Sequence, residues 1–312
     1  MMKVLKTMNK DKLFPWLKII RFQFYPMTWL AYTVGALSSF RLMEKFDLTV
    51  YIIGYISLFL IEFATVISNE YFDFETDKIN KNYSQFTGGS RMIVEGKISF
   101  KQIKIAITII LILIFVLSIF LSFMTNIYSV IILLIGLFLG LAYTVPPLKL
   151  SYRGFGEIDV GITHSFYIIL AGFLFQCPRI YTSFPWLISI PLFFAVFGAI
   201  ILAGFPDFIA DKKVGKKTLT VILGQKRATL VSILSISLSI ISSGIIAYSR
   251  IMGYAGIIFL IAMLQGIIIL YLLSIVFRST RINIQINKLL QMSISYIFWF
   301  TIIPILYLLN II

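Results

Sequence analysis

The chain has 312 residues, of which 59% are hydrophobic and only 13% are charged, and its mean hydropathy is +0.97. A soluble domain is about 45–50% apolar and about 25% charged, so this composition excludes an ordinary soluble protein. The net charge of +14 would suggest nucleic-acid binding in a soluble chain. In a membrane protein, however, the distribution of charge over the two sides matters more than its sum. We therefore interpret the chain as an integral membrane protein that binds no nucleic acid.

Residues 1–20 are basic, but they contain no long apolar run and no small-residue cleavage site. They are therefore not predicted to be a cleaved signal. Their pattern predicts an amphipathic segment that lies on the membrane surface. The side chains expected to face lipid are those of Leu5, Leu13, Phe14, Trp16 and Leu17.

Nine apolar stretches of about 20 residues follow, and each is long enough to cross a bilayer as a helix. No polar linker divides them, so we expect an all-α membrane protein with a single domain over residues 1–312 and a nine-helix bundle over 22–311. The predicted spans lie near 22–40, 48–68, 105–123, 127–146, 160–177, 186–206, 229–249, 254–277 and 289–311.

Basic residues are divided unevenly between the two sides that nine spans would create. Of the 27 Lys and Arg residues, 23 lie in the N-terminal tail and the even-numbered connections. The other four are Arg41, Lys45, Arg179 and Arg250. Because cytoplasmic loops carry the excess of Lys and Arg, this asymmetry predicts a cytoplasmic N-terminus in a protein of the plasma membrane.

Two acidic clusters follow predicted spans two and six. Asn69, Asp73 and Asp77 are spaced four residues apart and share one face if the helix continues, and Asp207 and Asp211 repeat this spacing. A carboxylate costs about 2.5–3.5 kcal/mol at the centre of a membrane and less near the interface, so the clusters require compensation. They could be loop charges neutralised by nearby lysines. Paired clusters of hard oxygen ligands instead suit Mg²⁺ bound together with substrate phosphates, which is the interpretation we favour.

Basic and polar residues accompany both clusters. Arg91 follows two glycines that would let backbone N–H groups approach an anion, and Lys212 begins a basic run after the second cluster. Pro206 directly precedes the second cluster and is a candidate break in that helix. Glu62 lies inside span two on nearly the same face as Asn69, where it could extend a polar pocket or pair with a neighbouring helix.

With these motifs the sequence resembles the UbiA superfamily of intramembrane prenyltransferases over nearly its whole length. The resemblance implies a nine-helix bundle with a cytoplasmic-side active site. It also implies transfer of a prenyl group from a polyprenyl diphosphate to a small aromatic acceptor, with Mg²⁺ as cofactor. The residues that would hold Mg²⁺, partly through the diphosphate, and carry the reaction are Asn69, Asp73, Asp77, Asp207 and Asp211.

The resemblance also suggests substrate contacts beside the metal. Arg91, Lys149 and Arg153 are candidates for the diphosphate, Lys212 stands beside the second motif, and Tyr143 forms with Lys149 a pair that the family often places against the diphosphate. His164, the only histidine, could contact the aromatic acceptor or act as a base. A buried, hydrogen-bonded structural histidine is the interpretation that we favour.

Three stretches resemble the menaquinone-pathway branch, which prenylates 1,4-dihydroxy-2-naphthoate: residues 88–91, 143–157 and 214–224. Glu70 stands where that branch commonly has Asp, and Ala203 and Gly204 replace an Asn pair before the second motif. Other acceptors therefore stay open, namely 4-hydroxybenzoate, homogentisate and geranylgeranylglyceryl phosphate.

A membrane transporter is the alternative of another class, because intramembrane carboxylates can relay ions. The acidic residues of this chain gather at one face, whereas a conducting path needs polar groups across the full depth of the membrane. We expect membrane lipid as the surroundings, and nothing in the sequence indicates an obligatory protein partner.

Overall fold

The structure is a computed structural model that describes residues 13–84, 86–177, 179, 182–278 and 286–311. Over these residues the chain is helical, and its β-structure is limited to one bridge between Arg153 and Lys217. A short helix over 13–20 precedes the helices of the bundle. These are α1 (Tyr25–Met43), α2 (Leu48–Phe72), α3 (Phe74–Ile79), α4 (Phe100–Met124), α5 (Tyr128–Ala142), α6 (Gly156–Gln176), α7 (Phe184–Val214), α8 (Leu219–Ser249), α9 (Phe259–Arg278) and α10 (Ile286–Leu308), with 3₁₀ turns at Leu150–Tyr152 and Gly253–Ile258.

Seven helices in the described part of the chain are long and apolar enough to cross a membrane: α2, α4, α6, α7, α8, α9 with its preceding 3₁₀ turn, and α10. Each coincides with a predicted span. The first and fourth predicted spans coincide with α1 and with α5, an apolar helix of 15 residues. Neither of these is among the seven, so the count of nine spans stays a prediction, whereas the all-helical membrane architecture is observed.

The helix over 13–20 has the expected two faces. Leu13, Phe14 and Leu17 are exposed, and Ile19 on the opposite face is fully buried. Trp16 differs from the prediction, because it is partly buried and packs against the core instead of facing outward. Leu5 lies outside the described residues.

Helix α7 runs without interruption for 31 residues, although it contains Pro191 and Pro206. The prediction that Pro206 breaks this helix is therefore wrong, and Asp207 and Asp211 lie one turn apart within a continuous helix. The helix ends at Gly215, whose φ of 75° is the left-handed conformation typical of a C-terminal cap. The chain then enters α8, which is kinked at Gly224.

The helices pack into one bundle. Helix α7 packs against α6, α8 and α10, α1 packs against α6 and α10, and α2 packs against α4 and α5. Small residues allow close helix approach where α1 crosses α6: a Cβ atom on Gly35 would overlap the Ile169 carbonyl, and one on Gly172 would overlap that of Tyr32. The connections 73–99, 143–155 and 215–218 all meet at one end of this bundle, where the acidic motifs lie.

Candidate active site

A cavity of about 360 Å³ opens between the helices at the end that carries the acidic motifs. All five predicted metal ligands line it: Asn69, Asp73, Asp77, Asp207 and Asp211. Apolar side chains of α2, α7 and α10 form further walls of the cavity, and they include Leu58, Ile61, Val196, Ile200, Ile297 and Phe298. The cavity thus joins a carboxylate cluster to a hydrocarbon-like chamber.

The first motif keeps its residues on one side although helix α2 ends beside it. Asp73 has φ −91° and ψ 6°, which separates α2 from the short helix α3. The backbone N–H of Asp73 nevertheless donates to Asn69 O, and the N–H of Asp77 donates to Asp73 O, both at 2.8 Å. Because the i to i−4 hydrogen bonds continue across the break, the predicted spacing still brings all three side chains to the cavity.

Asp73 is held by two residues that the sequence did not indicate as site residues. Lys216 Nζ lies 2.6 Å from Asp73 Oδ2 in a buried ion pair, and the Tyr152 hydroxyl donates to Oδ1 at 2.7 Å. Burial alone would lower the pKa of Lys216, but Asp73 and Asp211 outweigh it and hold this pKa well above its usual range. Lys216 is therefore a fixed positive charge inside the acidic cluster.

The other side chains of the two motifs provide oxygen atoms that a cation could bind. Asn80 Nδ2 donates to Asp207 Oδ1 at 2.7 Å, whereas Asn69 Oδ1 and Asp211 Oδ1 are buried without a hydrogen-bond partner among the described residues. Buried unpaired oxygen atoms of this kind need a ligand that supplies positive charge or a proton. No three acidic, His or Cys side chains in the described ranges converge closely enough to hold a metal unaided. The donor set therefore fits an oxygen-preferring cation that also binds substrate oxygens.

The charged form of Asp77 is disfavoured by the surroundings of this side chain. Burial, together with the nearby carboxylates of Glu70 and Asp73, raises the pKa of Asp77 to about 8. A buried carboxylate among others of the same charge is stabilised by an added cation.

Glu70 stands where the naphthoate branch commonly has Asp, and its side chain anchors the glycine-containing loop. Its two carboxylate oxygens accept hydrogen bonds from the backbone N–H of Ser90 and, at 2.8 Å, from the Ser90 hydroxyl. Gly88 and Gly89, which precede Ser90, have φ angles of 77° and 69°, and both line the cavity. The longer Glu side chain thus connects the end of α2 to this loop.

The four predicted substrate-binding cations outside the motifs, three of them candidates for the diphosphate, do not line the cavity. Arg91 donates to the backbone oxygen of Asp77 at 2.7 Å, and Arg153 donates to Pro147 O at 2.8 Å. Lys149 Nζ lies 4.5 Å from the ring centre of Tyr152, and Lys212 is exposed. Arg21, which the sequence analysis did not single out, does line the cavity.

Tyr143, Glu62 and His164 line the cavity as expected. Glu62 accepts a hydrogen bond of 2.8 Å from the Thr28 hydroxyl on α1. His164 lies in a π-helical turn of α6, Thr163–Tyr167, a local widening that is frequent at functional sites. Ala203 and Gly204 also line the cavity, so small side chains occupy the wall where the naphthoate branch commonly has amides.

The profile of the UbiA prenyltransferase family matches residues 26–303, which is most of the chain. The chain belongs to this family. The resemblance inferred from the two acidic motifs is thereby confirmed.

Among curated relatives, the chain is 33% identical over 188 residues to 1,4-dihydroxy-2-naphthoate octaprenyltransferase of Bacillus subtilis, covering 59% of this chain and 58% of the relative. It is 35% identical over 190 residues to digeranylgeranylglyceryl phosphate synthase of Saccharolobus solfataricus, covering 59% and 60%. The matched region therefore spans less than two thirds of either relative.

Among solved structures, a UbiA homologue from Archaeoglobus fulgidus bound to GPP and Mg²⁺ superposes with a TM-score of 0.67. The superposition covers 94% of this chain and 99% of that protein at 16% sequence identity, which establishes a shared fold.

Proposed function

We propose that this UbiA-family protein is a Mg²⁺-dependent prenyltransferase that transfers a polyprenyl group to 1,4-dihydroxy-2-naphthoate. One observation carries the proposal: both acidic motifs line the same cavity, which also has extended apolar walls. The carboxylates of Asp73, Asp77 and Asp207 are close enough to repel one another, so they favour binding of a cation. A cation bound there in turn favours a substrate that carries negative charge. A polyprenyl diphosphate has the two ends that such a cavity fits.

In the proposed reaction, Asn69, Asp73, Asp77, Asp207 and Asp211 would hold Mg²⁺. When bound, Mg²⁺ neutralises diphosphate oxygens and makes the diphosphate a better leaving group. Lys216 and Arg21 add positive charge to the lining of the cavity, and the apolar walls bind the prenyl chain and exclude water. The allylic C–O bond breaks with both electrons leaving on diphosphate, a C–C bond forms to the ring, and the ring loses its carboxyl group as CO₂.

The choice of acceptor rests on the naphthoate octaprenyltransferase relative and on the three naphthoate-like stretches. The digeranylgeranylglyceryl phosphate synthase relative supports the alternative of a geranylgeranylglyceryl phosphate acceptor. The Lys and Arg asymmetry supports a plasma-membrane protein with a cytoplasmic N-terminus, so that the site opens towards soluble substrates.

The test uses the full chain purified in detergent with Mg²⁺ and a labelled polyprenyl diphosphate. The two aromatic acceptors, 1,4-dihydroxy-2-naphthoate and 4-hydroxybenzoate, and geranylgeranylglyceryl phosphate are offered separately. We expect a decarboxylated prenyl naphthoquinol, and we expect the rate to fall by about 100-fold or more in Asp73→Asn and Asp207→Asn.

Glu75→Gln is the matched control, because Glu75 lies between Asp73 and Asp77 but is exposed and does not line the cavity. It should retain the wild-type rate. Product from another acceptor alone would keep prenyl transfer and discard the naphthoate. Absence of turnover together with absence of Mg²⁺-dependent diphosphate binding would overturn the proposed function.

A further inference from the structure

Helix α6 carries a buried carboxylate that the acidic motifs do not include. Asp159 is only 7% exposed and lines the cavity. Its Oδ1 atom has no hydrogen-bond partner among the described residues. A buried carboxylate without a donor is costly, so the Asp159 side chain is expected to bind a hydrogen-bond donor from a ligand in the cavity.

His164 presents a second unpaired acceptor from the same helix. Its Nδ1 atom lies 3.1 Å from the Val160 carbonyl oxygen and 3.0 Å from Thr163 Oγ1. The Thr163 hydroxyl donates its hydrogen to the Asp159 backbone oxygen at 2.8 Å. Because the Val160 carbonyl can only accept, Nδ1 carries the hydrogen of the neutral imidazole, and Nε2 retains a free lone pair. None of the described residues donates a hydrogen bond to Nε2.

Asp159 and His164 lie five positions apart, and the π-helical turn that contains His164 widens the helix at this point. Both side chains line the cavity, as Thr163 between them does. This surface of α6, defined by Asp159, Thr163 and His164 and called the α6 acceptor face, therefore offers acceptor atoms to the cavity.

We infer that the α6 acceptor face binds the prenyl-accepting substrate by accepting hydrogen bonds from the hydroxyl groups of that substrate. The inference rests on the proposed prenyl transfer, since it assigns the second substrate of that reaction to this surface. Two acceptors without donors on one face of the cavity suit a ligand that donates hydrogen bonds, and the prenyl chain of a polyprenyl diphosphate has no O–H or N–H group. A site with buried hydrogen-bonding groups rejects an analogue that lacks their partners by a large factor.

The experiment measures binding of the acceptor alone, without Mg²⁺ or prenyl diphosphate, to the full chain in detergent under argon. The probes are 1,4-dihydroxy-2-naphthoate and 2-naphthoate, which share the ring and carboxylate but differ in the hydroxyl groups. We expect 1,4-dihydroxy-2-naphthoate to bind wild type at least about tenfold more tightly than 2-naphthoate.

The variants are Asp159→Leu, which keeps the approximate shape and removes the acceptor atoms, and His164→Phe. Each should weaken binding of 1,4-dihydroxy-2-naphthoate by about tenfold or more and leave binding of 2-naphthoate unchanged. Asp159→Asn keeps one acceptor oxygen and should retain part of the affinity. Ser165→Ala is the matched control: Ser165 is adjacent to His164, but it is buried, donates to the Gly161 carbonyl and does not line the cavity.

Equal binding of the two naphthoates to wild type, or unchanged selectivity in Asp159→Leu and His164→Phe, would overturn the inference. Mg²⁺-dependent binding of the prenyl diphosphate is measured in the same preparations. If that binding persists while hydroxyl selectivity is absent, the inference fails and the proposed prenyl transfer does not.

Discussion

Lys216 contacts both acidic motifs of the site. It forms an ion pair with Asp73, with side-chain exposures of 9% for Lys216 and 6% for Asp73. A lysine ammonium in this position compensates the carboxylates when no metal is bound, and it lines the cavity where the diphosphate is proposed to lie. Its backbone N–H donates to Asp211 O at 2.9 Å, which connects the lysine to the second acidic motif as well.

Lys216→Met is expected to lower the thermal stability of the metal-free protein and to enlarge the stabilisation that Mg²⁺ provides. Removing one partner of a buried ion pair costs about 3–5 kcal/mol, because the other charge is left uncompensated. Added Mg²⁺ would replace the lost positive charge. The measurement is the unfolding temperature in detergent with and without Mg²⁺.

Lys217→Met is the control for this substitution, because Lys217 is the adjacent lysine and is exposed. It should behave like wild type in both conditions. An identical response of the two variants to Mg²⁺ would show that the Lys216 charge does not compensate the acidic cluster.

At the scale of structural elements, the loop from Lys81 to Ser99 contacts the residues of the first acidic motif. Glu70 at the end of α2 fixes this loop through Ser90. Gly89 passes so close to the site that a Cβ atom there would overlap Asp77 Oδ2. Gly96 has nearly the same φ, 67° against 69°, but a Cβ atom on Gly96 would have nothing within 4 Å.

The pair Gly89→Ala and Gly96→Ala separates backbone strain from displacement of the carboxylate. Both substitutions place alanine at a position with left-handed backbone conformation, which costs about 1–2 kcal/mol of stability. Only Gly89→Ala must also displace Asp77, so only this variant should lose prenyl-transfer activity, by about tenfold or more. The two variants are compared by their initial rates of prenyl transfer at saturating Mg²⁺. An equal loss of rate in both would mean that backbone strain alone explains the effect.

Sequence reasoning identified the elements of the site well where the pattern was local. The four-residue spacing of both motifs correctly placed Asn69, Asp73 and Asp77 on one side, because helical hydrogen bonding continues past the end of α2. The partners of these residues could not be predicted in this way. Lys216 lies 143 positions from Asp73 and was only one of several lysines in the basic run after the second motif.

Arg91 illustrates the opposite case, in which a plausible local pattern does not determine where a side chain lies. Its position after two glycines suggested a phosphate contact, but its φ of 67° and its hydrogen bond to the Asp77 backbone direct the guanidinium into the loop. Asp159 was missed because a single acid near a helix start resembles an ordinary helix-dipole interaction. Its unpaired oxygen is visible only when the surrounding helices are in place.

At the scale of the whole molecule, the bundle has one functional end. The acidic motifs, the loop from Lys81 to Ser99 and the turn at Gly215 gather there, whereas the connection between α1 and α2 lies at the other end of α2. The basic residues follow the same division, with 23 of 27 on the side predicted to be cytoplasmic. If this division determines topology, the mouth of the site faces the compartment that supplies soluble substrates.

The orientation can be measured with single cysteines introduced into a Cys177→Ser background, since Cys177 is the only native cysteine. Lys45 and Lys213 are both exposed and lie on opposite predicted sides. In intact cells, a membrane-impermeant maleimide should label Lys45→Cys directly and should label Lys213→Cys only after permeabilisation. The reverse pattern would place the acidic cavity on the outer face. Because a polyprenyl diphosphate head group does not cross a bilayer unaided, that result would also require the donor to be delivered from outside, and the positive-inside argument for this chain would be wrong.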